Sequence, residues 1–86
     1  MAYEIRLTSR ARKELASLPR AARTRVARRI DALANDPRPI GVVKMKGTTS
    51  YRIRVGVYRI IYDIYDQFLL VEVIRVDHRK DVYRGD

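Results

Sequence analysis

The sequence predicts a single α+β domain over residues 1–86, with an N-terminal strand and a helical hairpin packed on one face of a twisted, mainly antiparallel sheet of four to five strands. Two observations predict this fold. A chain of 86 residues can build only one core. Its apolar residues recur at helical spacing between residues 9 and 35, and in the two-residue period of strands after Gly41.

The N-terminal segment is predicted to form one strand and two helices. Residues Tyr3 to Leu7 alternate between apolar and charged side chains, which indicates a half-buried strand. Thr8 or Ser9 offers an N-cap oxygen to a short first helix, which must end before Pro19. A second helix is predicted over about residues 20–35, and the arginines on its outer sides are interpreted as a solvated face. Its apolar stripe consists of Ala22, Val26, Ile30 and Leu33.

Strands account for the rest of the chain. A loop rich in proline and glycine at residues 35–41 reverses the chain into the sheet. One short strand and three longer, consecutive antiparallel strands are then predicted: Val42–Met45, Tyr51–Val55, Tyr58–Tyr65 and Phe68–Val76. The last of these is apolar at nearly every position, which is typical of a central strand covered on both faces. The sheet face away from the helices is expected to stay open.

The composition predicts a protein that binds polyanions. Nineteen Lys and Arg residues against ten Asp and Glu residues give a net charge of +9, which suits nucleic acid, an anionic membrane surface or an acidic protein. The absence of cysteine and the presence of a single histidine, His78, exclude a disulfide framework and a multi-histidine metal site, so no metal or cofactor is expected. No apolar run approaches the roughly 18 residues of a membrane span, so we expect a cytoplasmic protein without a membrane partner.

A β-hairpin carries the clearest functional signal. If Gly56-Val57 forms a two-residue type II′ turn, as glycine at its first position favours, the residue numbers of cross-strand partners sum to 113. Arg54 then lies opposite Arg59, and Arg52 follows two residues along the same face. Because like charges directly opposite each other repel, this face predicts a bound anion.

The spacing of these arginines suits phosphate groups. Side chains two residues apart on a strand are separated by about 6.6 Å, close to the distance between neighbouring phosphates in an extended nucleic-acid strand. Guanidinium groups also bind phosphate in a bidentate manner. Lys44 and Lys46 are predicted to extend this phosphate-binding surface. The C-terminal segment adds a titratable imidazole, two guanidinium groups and an aromatic ring able to stack on a base, in His78, Arg79, Tyr83 and Arg84.

Three segments together resemble a known family: Lys46-Gly47, the hairpin from Tyr51 to Tyr62, and the run from His78 to Tyr83. They are similar to RelE-type mRNA interferase toxins of the RelE/ParE toxin superfamily, and the order of elements matches along the whole chain. The resemblance implies the toxin component of a type II toxin–antitoxin system. Such a toxin is a metal-independent, ribosome-dependent endoribonuclease that cuts mRNA in the decoding site by attack of the ribose 2′-hydroxyl on the adjacent phosphate. The partners that it implies are a RelB-like antitoxin, the ribosome and mRNA.

The resemblance also implies roles for individual residues. Arg59 and Arg79 would stabilise the transition-state charge or assist the leaving oxygen, and Tyr83 would orient or stack the nucleotide. Arg52 and Arg54 align with a basic pair that contains lysines in relatives, one of them proposed as the general base. Arginine, with a pKa above about 12, is a poor base, so this chain departs from the family pattern at the proton acceptor.

His78 is therefore the candidate general base. Glu72 is a second candidate: a two-residue turn at positions 66–67 would place it in the row of Arg52 and Ile61, where a salt bridge is its more natural role. Two other functions stay open. One is ParE-like inhibition of DNA gyrase by protein contact, against which the cluster around His78 argues. The other is a non-catalytic partner in an operator-binding toxin–antitoxin repressor.

Overall fold

A five-stranded mixed sheet carries two helices on one face. The computed structural model describes residues 2–78. Its elements are β1 (Glu4–Leu7), α1 (Ser9–Ala16), α2 (Arg20–Ala32), β2 (Val43–Lys44), β3 (Ser50–Val55), β4 (Tyr58–Tyr65) and β5 (Leu70–His78). The strand order is β1-β5-β4-β3-β2, with β1 parallel to β5 and the other neighbours antiparallel. The predicted α+β fold is confirmed. In the described part of the chain, no helix is both long enough and apolar enough to cross a membrane.

Two hydrogen bonds to β5, one from the N-cap and one further along the helix, fix the position of α1 on the sheet. Thr8 is the N-cap: its hydroxyl oxygen accepts a hydrogen bond from the Ala11 N–H and donates one to the Ile74 carbonyl. Further along α1, the Glu14 carboxylate accepts a hydrogen bond from the Val76 N–H at 2.8 Å. Because β1 pairs with β5 only as far as Val73, this carboxylate satisfies a β5 donor that β1 does not reach.

The core lies between the helices and the sheet. Its buried members are Ala11, Ala22, Val26, Ile30, Leu33, Ile53, Tyr58, Ile60, Tyr62, Val71, Val73 and Val76. They include the whole apolar stripe predicted for the second helix. Tyr62 is the largest of the fully buried side chains, and its hydroxyl donates to the Pro37 carbonyl at 2.7 Å. Burial raises the pKa of Tyr62 to about 12. This hydrogen bond ties the loop after α2 to the centre of the sheet.

The predicted hairpin register is confirmed. Gly56 has φ of +60°, as the first central residue of a type II′ turn requires. Val55 pairs with Tyr58, and the ladder continues in the same register to the pair of Arg54 and Arg59 and beyond. The apolar residues of both strands except Ile61 therefore face the helices, and the arginines lie with Ile61 on the opposite face.

The predicted β4–β5 register is wrong. A single-turn 3₁₀ helix over Asp66–Phe68, closed by Leu69 at φ +48°, replaces the two-residue turn, so β5 begins at Leu70 and not at Phe68. Glu72 consequently lies opposite Asp63 and not opposite Ile61. A β-bulge between Ile61 and Tyr62 then shifts the register again. The short strand before the hairpin is also smaller than predicted and covers only Val43–Lys44.

Asp66 connects three separate segments at the β4–β5 turn. Its carboxylate accepts a hydrogen bond from the Tyr3 hydroxyl at 2.6 Å and two from the Arg38 guanidinium, the shorter at 2.8 Å. These hydrogen bonds, that from Arg38 foremost, lower the pKa of Asp66 to about 2. The turn is thereby joined to the N-terminus and to the loop after α2.

We expect Asp66→Asn to lower the stability of the protein at neutral pH. The carboxyl pKa is about 2 in the folded protein and about 3.9 in an unfolded chain. Because the folded-state value is the lower one, the ionised carboxylate stabilises the fold above about pH 4, and this contribution is lost as the pH falls through about 2. Urea unfolding over this pH range should show the difference between wild type and variant narrowing on acidification. Asp31→Asn, at an exposed carboxylate on α2, is the control; equal pH profiles for both variants would contradict the assignment.

Candidate nucleic-acid interface

The sheet face opposite the helices, here called the open face, carries three cross-strand rows, and the arginines of the hairpin belong to two of them. The rows run across β3, β4 and β5 in that order. They consist of Arg54, Arg59 and Asp77; of Arg52, Ile61 and Arg75; and of Ser50, Asp63 and Glu72. Positive charge is therefore concentrated at the end of the open face next to the Gly56 turn.

The arginines of the first two rows differ in accessibility. Arg54 is exposed and Arg52, in the second row, is half-buried, whereas Arg59 is only 5% exposed. All three arginines lie on the predicted face, but the side chain of Arg59 is almost completely buried there. Its neighbour across the sheet is Asp77, which is equally buried and also forms an ion pair with Arg75. A carboxylate of the protein itself therefore offsets part of the repulsion between Arg54 and Arg59.

The third row gives the open face a negative end. Asp63 and Glu72 lie directly opposite each other, and the Asp63 carboxylate accepts a hydrogen bond from the Ser50 hydroxyl at 2.7 Å. Asp63 and, more weakly, Glu72 raise the pKa of the nearby Tyr65 hydroxyl. A polyanion bound at Arg52 and Arg54 is therefore repelled if it continues along the strands toward this row.

A cleft of about 410 Å³ adjoins the positive end of the open face. It lies along the edge of β3, because β2 pairs only with Tyr51 and Arg52 and does not cover the rest of that edge. Its charged lining residues are Arg52 and Arg54 from β3 together with Arg29 from α2. The sequence-based interpretation placed Arg29 in a solvated face; its position on the flank of the apolar stripe, one residue before the buried Ile30, was the available signal.

Other predicted site residues lie apart from these arginines. His78 is opposite Tyr58 on the helix-facing side, and the two rings meet edge to face with centroids 5.3 Å apart. Lys44 is opposite Tyr51, and its ammonium group donates to the Thr48 carbonyl at 2.8 Å. Lys46 is exposed in the turn before β3. The remaining candidates, Arg79, Tyr83 and Arg84, lie outside the described residues. Among residues 2–78 no group of three or more His, Asp or Glu side chains is placed to hold a metal ion.

Comparison with known proteins gives consistent matches along the chain. A family model described as the ParE toxin of the type II toxin–antitoxin system parDE matches residues 5–83. Toxin RelG of Mycobacterium tuberculosis is 35% identical over 86 residues, covering 98% of this chain and 99% of that protein.

Solved structures of RelE toxins match the fold. The toxin–antitoxin complex RelBE2 of Mycobacterium tuberculosis contains a chain with 31% identity and a TM-score of 0.80, with coverage of 92% of this chain and 93% of that one. The archaeal RelE–RelB complex of Pyrococcus horikoshii gives 30% identity and a TM-score of 0.82, with coverage of 92% and 97%. The intact RelBE complex of E. coli gives 28% and 0.79, with coverage of 90% and 96%.

Proposed function

The chain belongs to the ParE toxin family of type II toxin–antitoxin systems, in the RelE/ParE superfamily, and we propose that it is a ribosome-dependent endoribonuclease that cleaves mRNA and stops translation. The observation that carries the proposal is the positive end of the open face, where Arg52 and Arg54 are accessible beside the basic cleft. The resemblance of the hairpin and the C-terminal motifs to those of RelE-type toxins supplies the substrate.

The proposed reaction uses a nucleophile that belongs to the RNA. The ribose 2′-oxygen attacks the adjacent phosphorus, the P–O2′ bond forms and the P–O5′ bond breaks. The products are a 2′,3′-cyclic phosphate and a free 5′-hydroxyl, so one proton leaves the 2′-hydroxyl and one reaches the 5′-oxygen. Negative charge builds up on the phosphoryl oxygens in the transition state. Guanidinium groups positioned around the phosphate stabilise that charge, and we assign this role to Arg52 and Arg54.

The proton that leaves the 2′-hydroxyl needs an acceptor other than Arg52 and Arg54. Guanidinium groups are poor bases, so Arg52 and Arg54 are assigned electrostatic roles only. The His78 ring stacks edge-on against Tyr58 on the other side of the sheet, and this separation argues against His78 as the general base. Arg79 and Tyr83 complete the proposed site, as the resemblance to RelE-type toxins implies.

An acidic antitoxin is the proposed protein partner. RelE toxins with the same fold have been solved in complexes with RelB antitoxins from Mycobacterium tuberculosis and Pyrococcus horikoshii. A net charge of +9 favours association with an acidic chain. We propose that an extended segment of a RelB-like antitoxin covers the open face or the helices and thereby masks the basic surface.

Mapping of mRNA 5′ ends after induction tests the proposed function. We expect cuts at a fixed position within codons, with 5′-hydroxyl ends, and suppression of these cuts when the neighbouring antitoxin gene is expressed as well. A copy with an early stop codon is the control for induction itself. The family model also carries the name of ParE toxins, so DNA breaks trapped on gyrase are scored in the same cultures. Gyrase-trapped breaks without codon-positioned RNA cuts would reject the endoribonuclease in favour of a gyrase inhibitor.

A further inference from the structure

The cleft beside β3 concentrates positive charge from two separate elements. Arg54 and Arg52 approach it from the strand, and Arg29 approaches it from the helix. Its lining contains no carboxylate, and neither Arg29 nor Arg54 forms an ion pair within residues 2–78. One turn earlier on α2, the Arg25 guanidinium lies over the Gly56 turn, with nitrogen atoms 3.8 and 3.9 Å from the position that a Cβ would occupy there. Guanidinium groups clustered in this way attract an anion.

The remaining walls of the cleft are apolar and open. Ile40 is completely exposed and Val43 is 43% exposed, although both are large hydrophobic side chains. Gly41, between the proline-rich loop and β2, has φ of +92°, and no atom of the described residues stands within 4 Å of the place where its Cβ would be. A volume of about 410 Å³ lies in the range of sites for nucleotide-sized molecules. Charged and apolar walls in one cleft match the phosphate and the base or ribose of a nucleotide.

The charge pattern of the open face directs a bound strand toward this cleft. Continuation along β3 would bring the next phosphates to Asp63 and Glu72, which repel them. Continuation over the edge of β3 brings them to Arg29, because Arg52 and Arg54 belong both to the open face and to the cleft. Because the open face and the cleft share Arg52 and Arg54, one nucleic-acid strand can contact both. This favours a nucleic-acid strand over an acidic protein segment as the occupant of the cleft.

We infer that the cleft binds the nucleotide next to the one that is cut, with Arg29 on its phosphate and Ile40 against its base or ribose, while Arg54 contacts the phosphate that is cut. This inference rests on the proposed function for the place of the cut, but binding in the cleft can be measured without cleavage. Arg29 is then a substrate-positioning residue. It acts on the affinity for the RNA strand and leaves the chemical step itself unchanged.

Arg29→Gln tests this assignment, with Arg28→Gln as the matched control. Both variants lose one positive charge from neighbouring positions of α2, but Arg28 is exposed and does not line the cleft. The probe is a short fluorescent oligoribonucleotide with every 2′-hydroxyl methylated, which cannot be cut, and the readout is anisotropy over a salt series with the full-length protein. Arg29→Gln should weaken binding several-fold and reduce the slope of log affinity against log salt by about 0.7, the value for one phosphate contact in a single strand. Arg28→Gln should keep the wild-type slope.

Several outcomes would overturn the inference. It fails if the wild-type protein does not bind the oligonucleotide, or if both variants have the same slope. It also fails if Arg29→Gln weakens binding of the antitoxin and not of the oligonucleotide, which would assign the cleft to a protein partner. Cleavage on programmed ribosomes separates the two proposals: Arg29→Gln should raise KM and preserve kcat. If the wild type cleaves no RNA but the slope difference persists, the cleft still binds a nucleotide and only the proposed function fails.

Discussion

Arg54→Gln is expected to slow mRNA cleavage on programmed ribosomes by about 10²–10³-fold, the loss that follows removal of one positioned charge-stabilising donor. Arg54 is the exposed arginine of its row and forms no ion pair within the described residues. Its charge also adds to the repulsion with Arg59. The substitution should therefore leave stability unchanged or slightly improved, so that a loss of activity reports on the reaction and not on folding.

Single-turnover cleavage at saturating toxin separates the chemical step from binding in this test. Arg54→Lys supplies a graded comparison: it keeps the charge but loses the bidentate fork, and it should retain more activity than Arg54→Gln. Arg28→Gln has the same net charge as Arg54→Gln and should cleave like the wild type. Cleavage by Arg54→Gln at the wild-type rate would remove Arg54 from the site.

The hairpin shows which part of such a site can be predicted from local sequence. The turn type follows from Gly56 and the number of residues between two alternating segments, so the pairing of Arg54 with Arg59 follows from the local sequence alone. Once one face of a strand is apolar, a slip by one residue would bury charge. The helices are equally accessible to prediction, because Thr8 and Pro19 mark their starts.

The register of β5 against β4 could not be predicted from the local sequence. Leu69 takes a left-handed conformation that favours glycine, asparagine or aspartate, so nothing in its side chain signals the longer turn. The bulge after Ile61 likewise has no glycine or proline to mark it. Together these two features decide that Asp77 lies opposite Arg59 and Glu72 opposite Asp63. The negative end of the open face and the position of Asp77 beside Arg59 therefore depend on a turn and a bulge that no residue type in the local sequence indicates.

The position of Arg29 beside Arg52 and Arg54 could not be predicted for a different reason. Helical periodicity places it at the border of the apolar stripe, but only the docking of α2 against the edge of β3 brings it to Arg52 and Arg54. That docking depends on long-range packing around residues such as Tyr62, whose hydrogen bond to Pro37 positions the chain after the helix. Sites assembled from two elements far apart in sequence require the tertiary structure.

Asp77→Asn is expected to destabilise the protein by about 3–5 kcal/mol, the cost of removing one partner from a buried set of charges. Asp77 is only 5% exposed and lies between the buried Arg59, across the ladder, and Arg75, its ion-pair partner. Arg75 keeps the Glu14 carboxylate at 3.1 Å after the substitution, but the row of Arg54 and Arg59 loses its anion. Since a domain of this size has about 3–5 kcal/mol of net stability from its core, the variant should be largely unfolded.

Combining Asp77→Asn with Arg59→Met distinguishes a charge effect from a packing effect. If the buried carboxylate mainly compensates Arg59, removal of that guanidinium should restore part of the lost stability, and the two costs should be strongly non-additive in urea unfolding. Additive costs would show that Asp77 acts through Arg75 alone. Non-additivity would also give Arg59 a structural role, as a guanidinium compensated by an internal carboxylate. Arg54 would then be the accessible guanidinium proposed to contact RNA on the described part of that row.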